Sequence, residues 1–289
     1  MKYYKKLLKI NITICICYTL FFTIIISYVY INHFKQLYVI DRDKAIKTLS
    51  DRVESSIMTA KNFSDLALND KYVQNYILEK SPDYTNRLNA NRFIASIASS
   101  LNTFKCSLAI TKYYDNHAIT NSSNTEFDYY YKARGISSTF MSELMAQLES
   151  SPLYNIEYIL STTKTSSYFT IVIKNTYLNE HLYTFVSYDI KDIFPTVSDD
   201  TSLAIAISID KKIMYISNQK YESVINNYIN NNVYPKKYKL FEFSPKSQAN
   251  ISTITCYYLY LKNQYYLNFL PHLLTSIGIS LIILFIALQ

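Results

Sequence analysis

The residue types that support catalysis or metal binding occur in this chain, but their spacing matches no catalytic pattern. The four histidines, His33, His117, His181 and His272, are scattered, and none has an H-x-x-x-H or Cys/His spacing typical of zinc sites. The sequence has neither a G-x-S-x-G nucleophile elbow nor a glycine-rich phosphate loop. We therefore expect a protein that is not an enzyme and that uses no metal or cofactor.

Two apolar stretches lie near the two ends of the chain, and any binding site must be formed by the residues between them. Residues 10–31 read INITICICYTLFFTIIISYVYI, and residues 273–288 read LLTSIGISLIILFIAL. A hydrocarbon core of about 30 Å needs roughly 20 helical residues. The second stretch reaches that length if it begins near Phe269, with Pro271 tolerated in the first turn. We predict transmembrane helices at residues 10–31 and 269–289.

The lysines before the first stretch predict the orientation. Lys2, Lys5, Lys6 and Lys9 precede it without an acidic residue, and such an excess marks the cytoplasmic side of a span. We expect residues 1–9 in the cytoplasm and residues 32–268 outside a cell membrane. A secretory signal peptide is the alternative, but the apolar region is long for one and no A-x-A cleavage site follows it.

The charge balance of the rest of the chain argues against a nucleic-acid partner. The formal net charge is +7, and four of the 29 basic residues lie before the first span, which leaves a surplus of three over the 22 acidic residues. We expect no direct nucleic-acid contact by this region. Cys106 and Cys256 are the two cysteines outside the predicted spans, and they are far apart in sequence. A disulfide between them could form in an oxidising compartment, but we do not expect a fold that depends on disulfides.

Hydrophobic periodicity organises residues 32–268 into a helix and two modules. Residues 32–69 are predicted to form a long signalling helix, because apolar residues recur at steps of three and four: Ile46, Leu49, Val53, Ile57, Ala60, Phe63 and Ala67. We expect this apolar face to pack on the domain's own sheet and also to pair with a second copy, so that the protein forms a homodimer through the long helix. Residues 70–195 combine helices with antiparallel strands, and residues 196–268 repeat a strand–turn–strand–helix–strand–strand order. The fold class is therefore α+β.

Two segments carry a resemblance to a known family. Residues 182–194, LYTFVSYDIKDIF, look like a final strand that crosses into a second module, and residues 203–218, LAIAISIDKKIMYISN, look like its strand–turn–strand. In both, the chain resembles the double Cache (PAS-like) extracytoplasmic sensor domains of two-span bacterial receptors. The resemblance implies a membrane-distal PAS-like module at 70–195, a membrane-proximal one at 196–268, and a small-molecule ligand.

Within that family, the lysine-rich start, the two spans and the long helix look most similar to two groups of proteins. These are the sensor portions of AraC-type transcription regulators and of sensor histidine kinases of low-GC Gram-positive bacteria. The resemblance thus implies the ligand-sensing region of a signal-transduction receptor whose output domain lies outside this sequence. The alternative is a membrane-tethered extracellular binding or assembly module without signalling output.

The resemblance also implies candidate ligand residues. One Cache subfamily binds amino acids through a tyrosine, an arginine five residues later and a late aspartate, and Tyr129, Arg134 and Asp189 stand at matching places. Tyr131 lies between the first two. A guanidinium grips a carboxylate in fork geometry, and a carboxylate accepts an ammonium. The aromatic pair that follows the arginine in the subfamily is absent, because Ile136 and Ser137 stand there.

Overall fold

The computed structural model describes residues 2–79, 83–100, 105–113, 115–122, 126–150, 155–194, 203–245 and 253–262, together with single positions from 271 to 278. The chain divides into two compact units. One consists of Met1–Lys47 and Leu261–Gln289, and the other is Thr48–Tyr260. The second unit contains both of the described sheets.

The first helix is much longer than any other described element. α1 (Lys2–Leu68) continues without a break through the predicted span 10–31 and through the predicted helix 32–69 as far as Leu68. Among the described residues, one helix, Lys6–Leu68, is long and apolar enough to cross a membrane by length and composition. A signal sequence near the N-terminus meets the same criterion, so the span at 10–31 stays a prediction. The predicted span at 269–289 lies almost entirely outside the described residues.

A five-stranded sheet forms the larger part of the fold. Its strand order is β2-β1-β5-β4-β3, and every pairing in it is antiparallel. Its strands are β1 (Cys106–Lys112), β2 (Ile119–Thr120), β3 (Asn155–Thr162), β4 (Ser167–Tyr177) and β5 (Glu180–Asp189). The helices around it are α2 (Lys71–Leu78), α3 (Tyr84–Ser100), α4 (Phe127–Lys132), α5 (Ser138–Ser150) and the short α6 (Ile190–Ile193).

One face of this sheet packs on α1, as the predicted apolar face requires. All seven periodic residues from Ile46 to Ala67 are buried, at 9% exposure or less. Polar bonds fix the contact, because Ser64 Oγ donates to Thr184 Oγ1 at 3.0 Å and the Tyr188 hydroxyl donates to the carbonyl of Ser56 at 3.0 Å. The periodic face of residues 46–67 therefore serves the domain's own core.

A four-stranded sheet follows in sequence and contacts the same helix. Its order is β7-β6-β9-β8, and its elements are β6 (Leu203–Ile209), β7 (Lys212–Ile216), α7 (Glu222–Asn231), β8 (Tyr238–Phe243) and β9 (Ile254–Leu261). Ile225 of α7 packs among Ala204, Ala206 and Leu259 of this sheet. Ser50 Oγ of α1 donates to the Tyr258 hydroxyl at 3.2 Å. Both sheets are thus attached to α1, at different turns of the helix.

The described elements match the predicted α+β class and add detail that the sequence does not reveal. α4 and α6 are not predicted from periodicity, since helices of four to six residues are too short to show it. Apolar periodicity also predicts a helix over residues 86–104, and α3 (Tyr84–Ser100) covers the described part of that range. Cys106 and Cys256 are both free thiols.

Candidate ligand-binding site

The second face of the five-stranded sheet is covered by α4 and α5, and the first of these is fixed by backbone bonds. The Phe127 amide donates to the carbonyl of Asn116 at 2.7 Å, and the Asp128 amide lies 3.2 Å from Asn116 Oδ1. The Phe127 ring packs 4.9 Å from the ring of Phe185 on β5. The start of α4 is therefore held against the segment that follows β1.

The turn between α4 and α5 depends on a glycine. Gly135 has a φ of +75°, and a Cβ at this position would lie only 2.6 Å from the carbonyl oxygen of Thr162. Glycine adopts this left-handed conformation without the steric penalty of other residues. The turn therefore passes directly over the end of β3, and it sets the direction of α5.

The two ends of α5 are anchored by different contacts. Ser137 Oγ accepts a hydrogen bond from the Phe140 amide at 3.2 Å, as an N-cap residue does. At the other end the buried Lys174 ammonium donates to the carbonyls of Leu148 and Glu149 at 2.9 and 3.1 Å. A cation at a helix C-terminus is favourable, because the unpaired carbonyls there carry partial negative charge. Both ends of α5 are thus held in place.

Between α4, α5 and the end of β1 lies a pocket of about 230 Å³, which we call the α4–α5 pocket. At about 30 Å³ per water molecule it has room for roughly eight waters, or for a small organic ligand. Its lining combines apolar and polar side chains: Lys112, Tyr113, Asp115, Asn116, Phe127, Asp128, Tyr131, Ser138, Met141, Ser142 and Met145.

A carboxylate with defined partners stands on the α4 side of this pocket. Asp128 Oδ1 accepts a hydrogen bond from the Tyr131 hydroxyl at 2.8 Å, and Asp128 Oδ2 forms an ion pair with Lys132 Nζ at 2.6 Å. The hydrogen bonds from Lys132 and then Tyr131 lower the pKa of the Asp128 carboxyl. Asp128 is therefore negatively charged at neutral pH.

A second carboxylate, Asp115, belongs to the segment that follows β1. Asp115 accepts hydrogen bonds from the His117 amide at 2.9 Å and from the buried Tyr76 hydroxyl at 3.1 Å. Lys112 Nζ is turned towards α2, where it donates to the carbonyl of Glu79 at 2.7 Å. Burial lowers the pKa of Lys112. The pocket therefore presents two carboxylates on an apolar floor, an arrangement that suits a ligand with an ammonium group.

The residues predicted from the sequence fall in different places. Tyr131 lines the α4–α5 pocket, while Tyr129, on the outer side of α4, is 58% exposed. Arg134 is half-buried and stacks on the Tyr130 ring, with its guanidinium carbon 3.6 Å from the ring centroid. It also donates to the carbonyl of Tyr130. Asp189 caps α6 by accepting from the Lys191 amide at 2.9 Å.

Arg134 and Asp189 lie at the same end of the sheet, away from the α4–α5 pocket. Gly135 stands against Thr162, and the rows Ser161↔Tyr168 and Tyr168↔Asp189 place Asp189 beside that end. Lys112 pairs with Leu182, seven residues from Asp189 along β5, or about 23 Å at 3.3 Å per residue. A shared role for Arg134 and Asp189 in ligand binding stays a prediction.

The sequence-based candidates miss most of the polar residues of the pocket, Asp115, Asn116 and Asp128 among them. One signal for Asp128 is present in the sequence, because it stands four residues before Lys132, the spacing of a helical ion pair. Asp115 and Asn116 carry no such signal. They follow β1 and meet α4 through long-range packing, and contacts of this kind cannot be predicted from a single sequence.

Comparisons with known proteins give only structural likeness. No family model and no curated protein matches the chain. The sensory domain of the Campylobacter jejuni chemoreceptor Tlp3 with isoleucine bound is 12% identical, with a TM-score of 0.45 over 81% of this chain and 97% of that one. The Vibrio cholerae histidine kinase DctB sensor domain is 10% identical, with a TM-score of 0.43 over 78% and 98%.

A third solved structure has a similar level of likeness. The ligand-binding domain of the Pseudomonas aeruginosa amino acid chemoreceptor PctC in complex with GABA is 10% identical, with a TM-score of 0.40 over 74% of this chain and 94% of that one. All three are described as sensor or ligand-binding domains. At these identities and scores they carry no functional conclusion over to this chain.

Proposed function

We propose that the chain is the ligand-sensing region of a membrane-anchored receptor, and that its ligand is a small molecule with an ammonium group. The observation that carries the proposal is the attachment of both sheets to one continuous helix. Ser56 and Ser64 of α1 form hydrogen bonds with residues of the five-stranded sheet. Ser50 of α1 forms a hydrogen bond with Tyr258 of the four-stranded sheet. Since α1 also contains the apolar stretch 10–31, a rearrangement of either sheet acts on the segment that would enter a membrane.

The α4–α5 pocket is the proposed binding site. Its carboxylates Asp115 and Asp128 complement an ammonium, and Met141, Met145 and Phe127 provide apolar surface for the rest of a small ligand. The pocket lies on the face of the sheet opposite to α1. A ligand that stabilises one arrangement of α4 and α5 changes the packing of that sheet, and a population shift between two arrangements is how a receptor signals.

A thermal-shift screen of the full chain in lipid nanodiscs tests the proposal. The compounds are amino acids, primary amines and matched carboxylic acids without the amine. A ligand at 100 times its Kd stabilises by about 2.7 kcal/mol, which raises the Tm of a domain of this size by about 5–10 °C. We expect amine-bearing compounds to shift the Tm and the matched acids to leave it unchanged. If no compound shifts the Tm, the ligand-sensing function is wrong.

A further inference from the structure

The segment between α7 and β8 exposes large apolar side chains next to lysines. Residues 233–239 read VYPKKYK, and we call them the 233–239 segment. Val233 is 57% exposed and Tyr234 is 66% exposed. The three lysines are exposed as well, and the segment contains no acidic residue. One short stretch of surface thus combines apolar, aromatic and positively charged side chains.

The exposed side chains are held in a defined position. Asn232 ends α7 in the left-handed conformation, with a φ of +53°, and its amide donates to the carbonyl of Tyr228 at 2.9 Å. The Tyr234 ring meets the Tyr228 ring edge to face, with the centroids 4.9 Å apart. The Tyr228 hydroxyl lies 3.3 Å from that of Tyr234 and donates to Glu242 Oε2 at 3.1 Å. The start of the 233–239 segment is therefore fixed on α7 and β8.

This combination of side chains suits the surface of a lipid bilayer. Tyrosine is enriched at membrane–water interfaces, because its ring is apolar and its hydroxyl bonds with water and headgroups. Lysines close to a bilayer are attracted by anionic headgroups, and this attraction acts only within about a Debye length of the surface. The 233–239 segment has both residue types on one exposed stretch.

The direction of β8 places the 233–239 segment at one end of the four-stranded sheet. Ser244 Oγ lies 3.2 Å from Thr255 Oγ1, and the Phe241 ring stacks on the Tyr260 ring with the centroids 5.8 Å apart. Residue numbers rise along β8 as they fall along β9, so the two strands are antiparallel. The start of β8, which follows the 233–239 segment, therefore lies beside the end of β9.

The chain continues from this end of the sheet to the predicted second span. β9 ends at Leu261, and the span is predicted at 269–289, so residues 262–268 connect them. A connection of this length reaches at most about 30 Å when it is fully extended. In an anchored receptor, chain length therefore keeps this end of the sheet near the bilayer. The β6–β7 turn lies at the other end, because Leu203 pairs with Tyr260 and Ile209 pairs with Ile254.

We infer that the 233–239 segment docks on a bilayer surface that carries anionic phospholipid headgroups. Tyr234 lies among the headgroups, and Lys237 and Lys239 face their phosphates. The inference rests on the membrane anchoring in the function proposed above, and it adds the lipid surface as a partner of the four-stranded sheet. Such a contact restricts how this sheet turns on its connection to the membrane.

A tryptophan in the segment reports on lipid contact. The sequence contains no tryptophan, so Tyr234→Trp gives the full chain a single probe. The variant is inserted into phosphatidylcholine vesicles with or without phosphatidylglycerol, whose acyl chains are brominated next to the headgroup and quench tryptophan on contact. We expect at least twofold quenching with phosphatidylglycerol and less without it. Tyr129→Trp, at the 58% exposed position on α4, is the control and should not be quenched.

Charge reversal separates docking of this segment from general attraction to the vesicle. Lys237→Glu together with Lys239→Glu, in the Tyr234→Trp chain, should reduce the quenching to its level in phosphatidylcholine alone. Lys211→Glu together with Lys212→Glu makes the same charge change at exposed lysines at the other end of the sheet. This second pair is expected to leave the quenching unchanged.

The outcomes separate lipid docking from membrane anchoring. Docking is overturned if a chain that resists an alkaline wash of the vesicles is quenched no more in the Tyr234→Trp variant than in the Tyr129→Trp variant. It is also overturned if the two pairs of lysine substitutions reduce the quenching equally. A chain that the alkaline wash removes from the vesicles contradicts the anchoring and the docking together.

Discussion

At the scale of single residues, we expect ligand recognition in the α4–α5 pocket to depend most on Asp128. Its carboxylate is held by Tyr131 and Lys132, and Asp115 and Met141 line the same pocket. A hydrogen bond to a charged group contributes about 1.5–3 kcal/mol. This range sets the size of the effect expected when the charge of Asp128 is removed.

We predict that Asp128→Asn weakens the binding of an amine ligand by about 10- to 100-fold, because the isosteric amide has no charge to attract the ammonium. Isothermal titration of the full chain with the best amine from the screen measures the effect. Asp65→Asn, on an exposed position of α1, is the matched control. Equal affinity of the wild type and the Asp128→Asn variant would show that the ligand does not bind in this pocket.

Binding should also follow the ionisation of Asp128. The hydrogen bonds from Lys132 and Tyr131 lower the pKa of Asp128, so its charge is present above that pKa and is lost only as the pH falls through it. We predict an amine-induced thermal shift that is constant from pH 8 down to about pH 4, the ordinary pKa of an aspartate, and that is lost only at lower pH. A loss centred between pH 6 and 7 would point to a histidine and contradict the role of Asp128.

Gly135 is the residue on which the position of α5 depends. Because φ is +75° and a Cβ would meet the Thr162 carbonyl at 2.6 Å, we predict that Gly135→Ala destabilises the fold by about 2–3 kcal/mol. Urea unfolding monitored by circular dichroism measures this change. Gly278→Ala has open space around its Cβ and should leave stability unchanged or slightly higher. Similar stability of Gly135→Ala and the wild type would show that the turn relaxes freely.

At the scale of secondary structure, the β4–β5 hairpin carries an unfavourable residue at its tip. Leu178 and Asn179 both have positive φ, at 48° and 71°, as in a type I′ turn, and Leu178 is 69% exposed. Leucine is disfavoured in this conformation, whereas asparagine and glycine are common there. The hairpin therefore holds a leucine in a strained backbone conformation.

We predict that Leu178→Gly stabilises the protein by about 1 kcal/mol, because it relieves the left-handed conformation of a branched residue. Leu178→Ala removes the same exposed side chain and keeps the Cβ, so it should have little effect. Thermal unfolding of both variants under identical conditions distinguishes backbone strain from surface apolarity. Equal stabilisation by the two substitutions would contradict the strain explanation.

The inner face of α1 allows a second comparison between elements. Phe63 is 1% exposed, and Leu66, one turn away on the outer face, is 46% exposed. We predict that Phe63→Ala lowers the free energy of unfolding by about 3–5 kcal/mol, while Leu66→Ala changes it by less than about 1 kcal/mol. Urea unfolding provides the measurement. A larger loss from Leu66→Ala would mean that the outer face is covered as well.

Periodicity predicts the elements whose pattern is long and regular. The steps of three and four from Ile46 to Ala67 predict the buried face of α1, because one helix face meets one sheet. α4 has six residues, fewer than two turns, and its tyrosines Tyr130 and Tyr131 are both buried while Tyr129 is exposed. With 30 tyrosines in the chain, such a cluster gives no position-specific signal.

At the scale of the whole molecule, the α+β class and the succession of two modules follow from the order of helical and alternating segments. The pocket does not follow, because its residues come from distant elements. Asp115 after β1, Tyr131 in α4 and Met141 in α5 meet only when the five-stranded sheet and the α4–α5 layer have formed. Tyr131 is the one sequence-based candidate that lines this pocket, whereas Arg134 and Asp189 lie at the opposite end of the sheet.

Hydrogen exchange tests ligand sensing most directly. It is measured by mass spectrometry on the full chain in nanodiscs, with and without the amine that gives the largest thermal shift. We expect the ligand to slow exchange in α4 and α5 and also in residues 50–67 of α1, because both faces of one sheet carry these helices. Unchanged exchange in α1, with or without protection of α4 and α5, would contradict a sensor that acts through this helix.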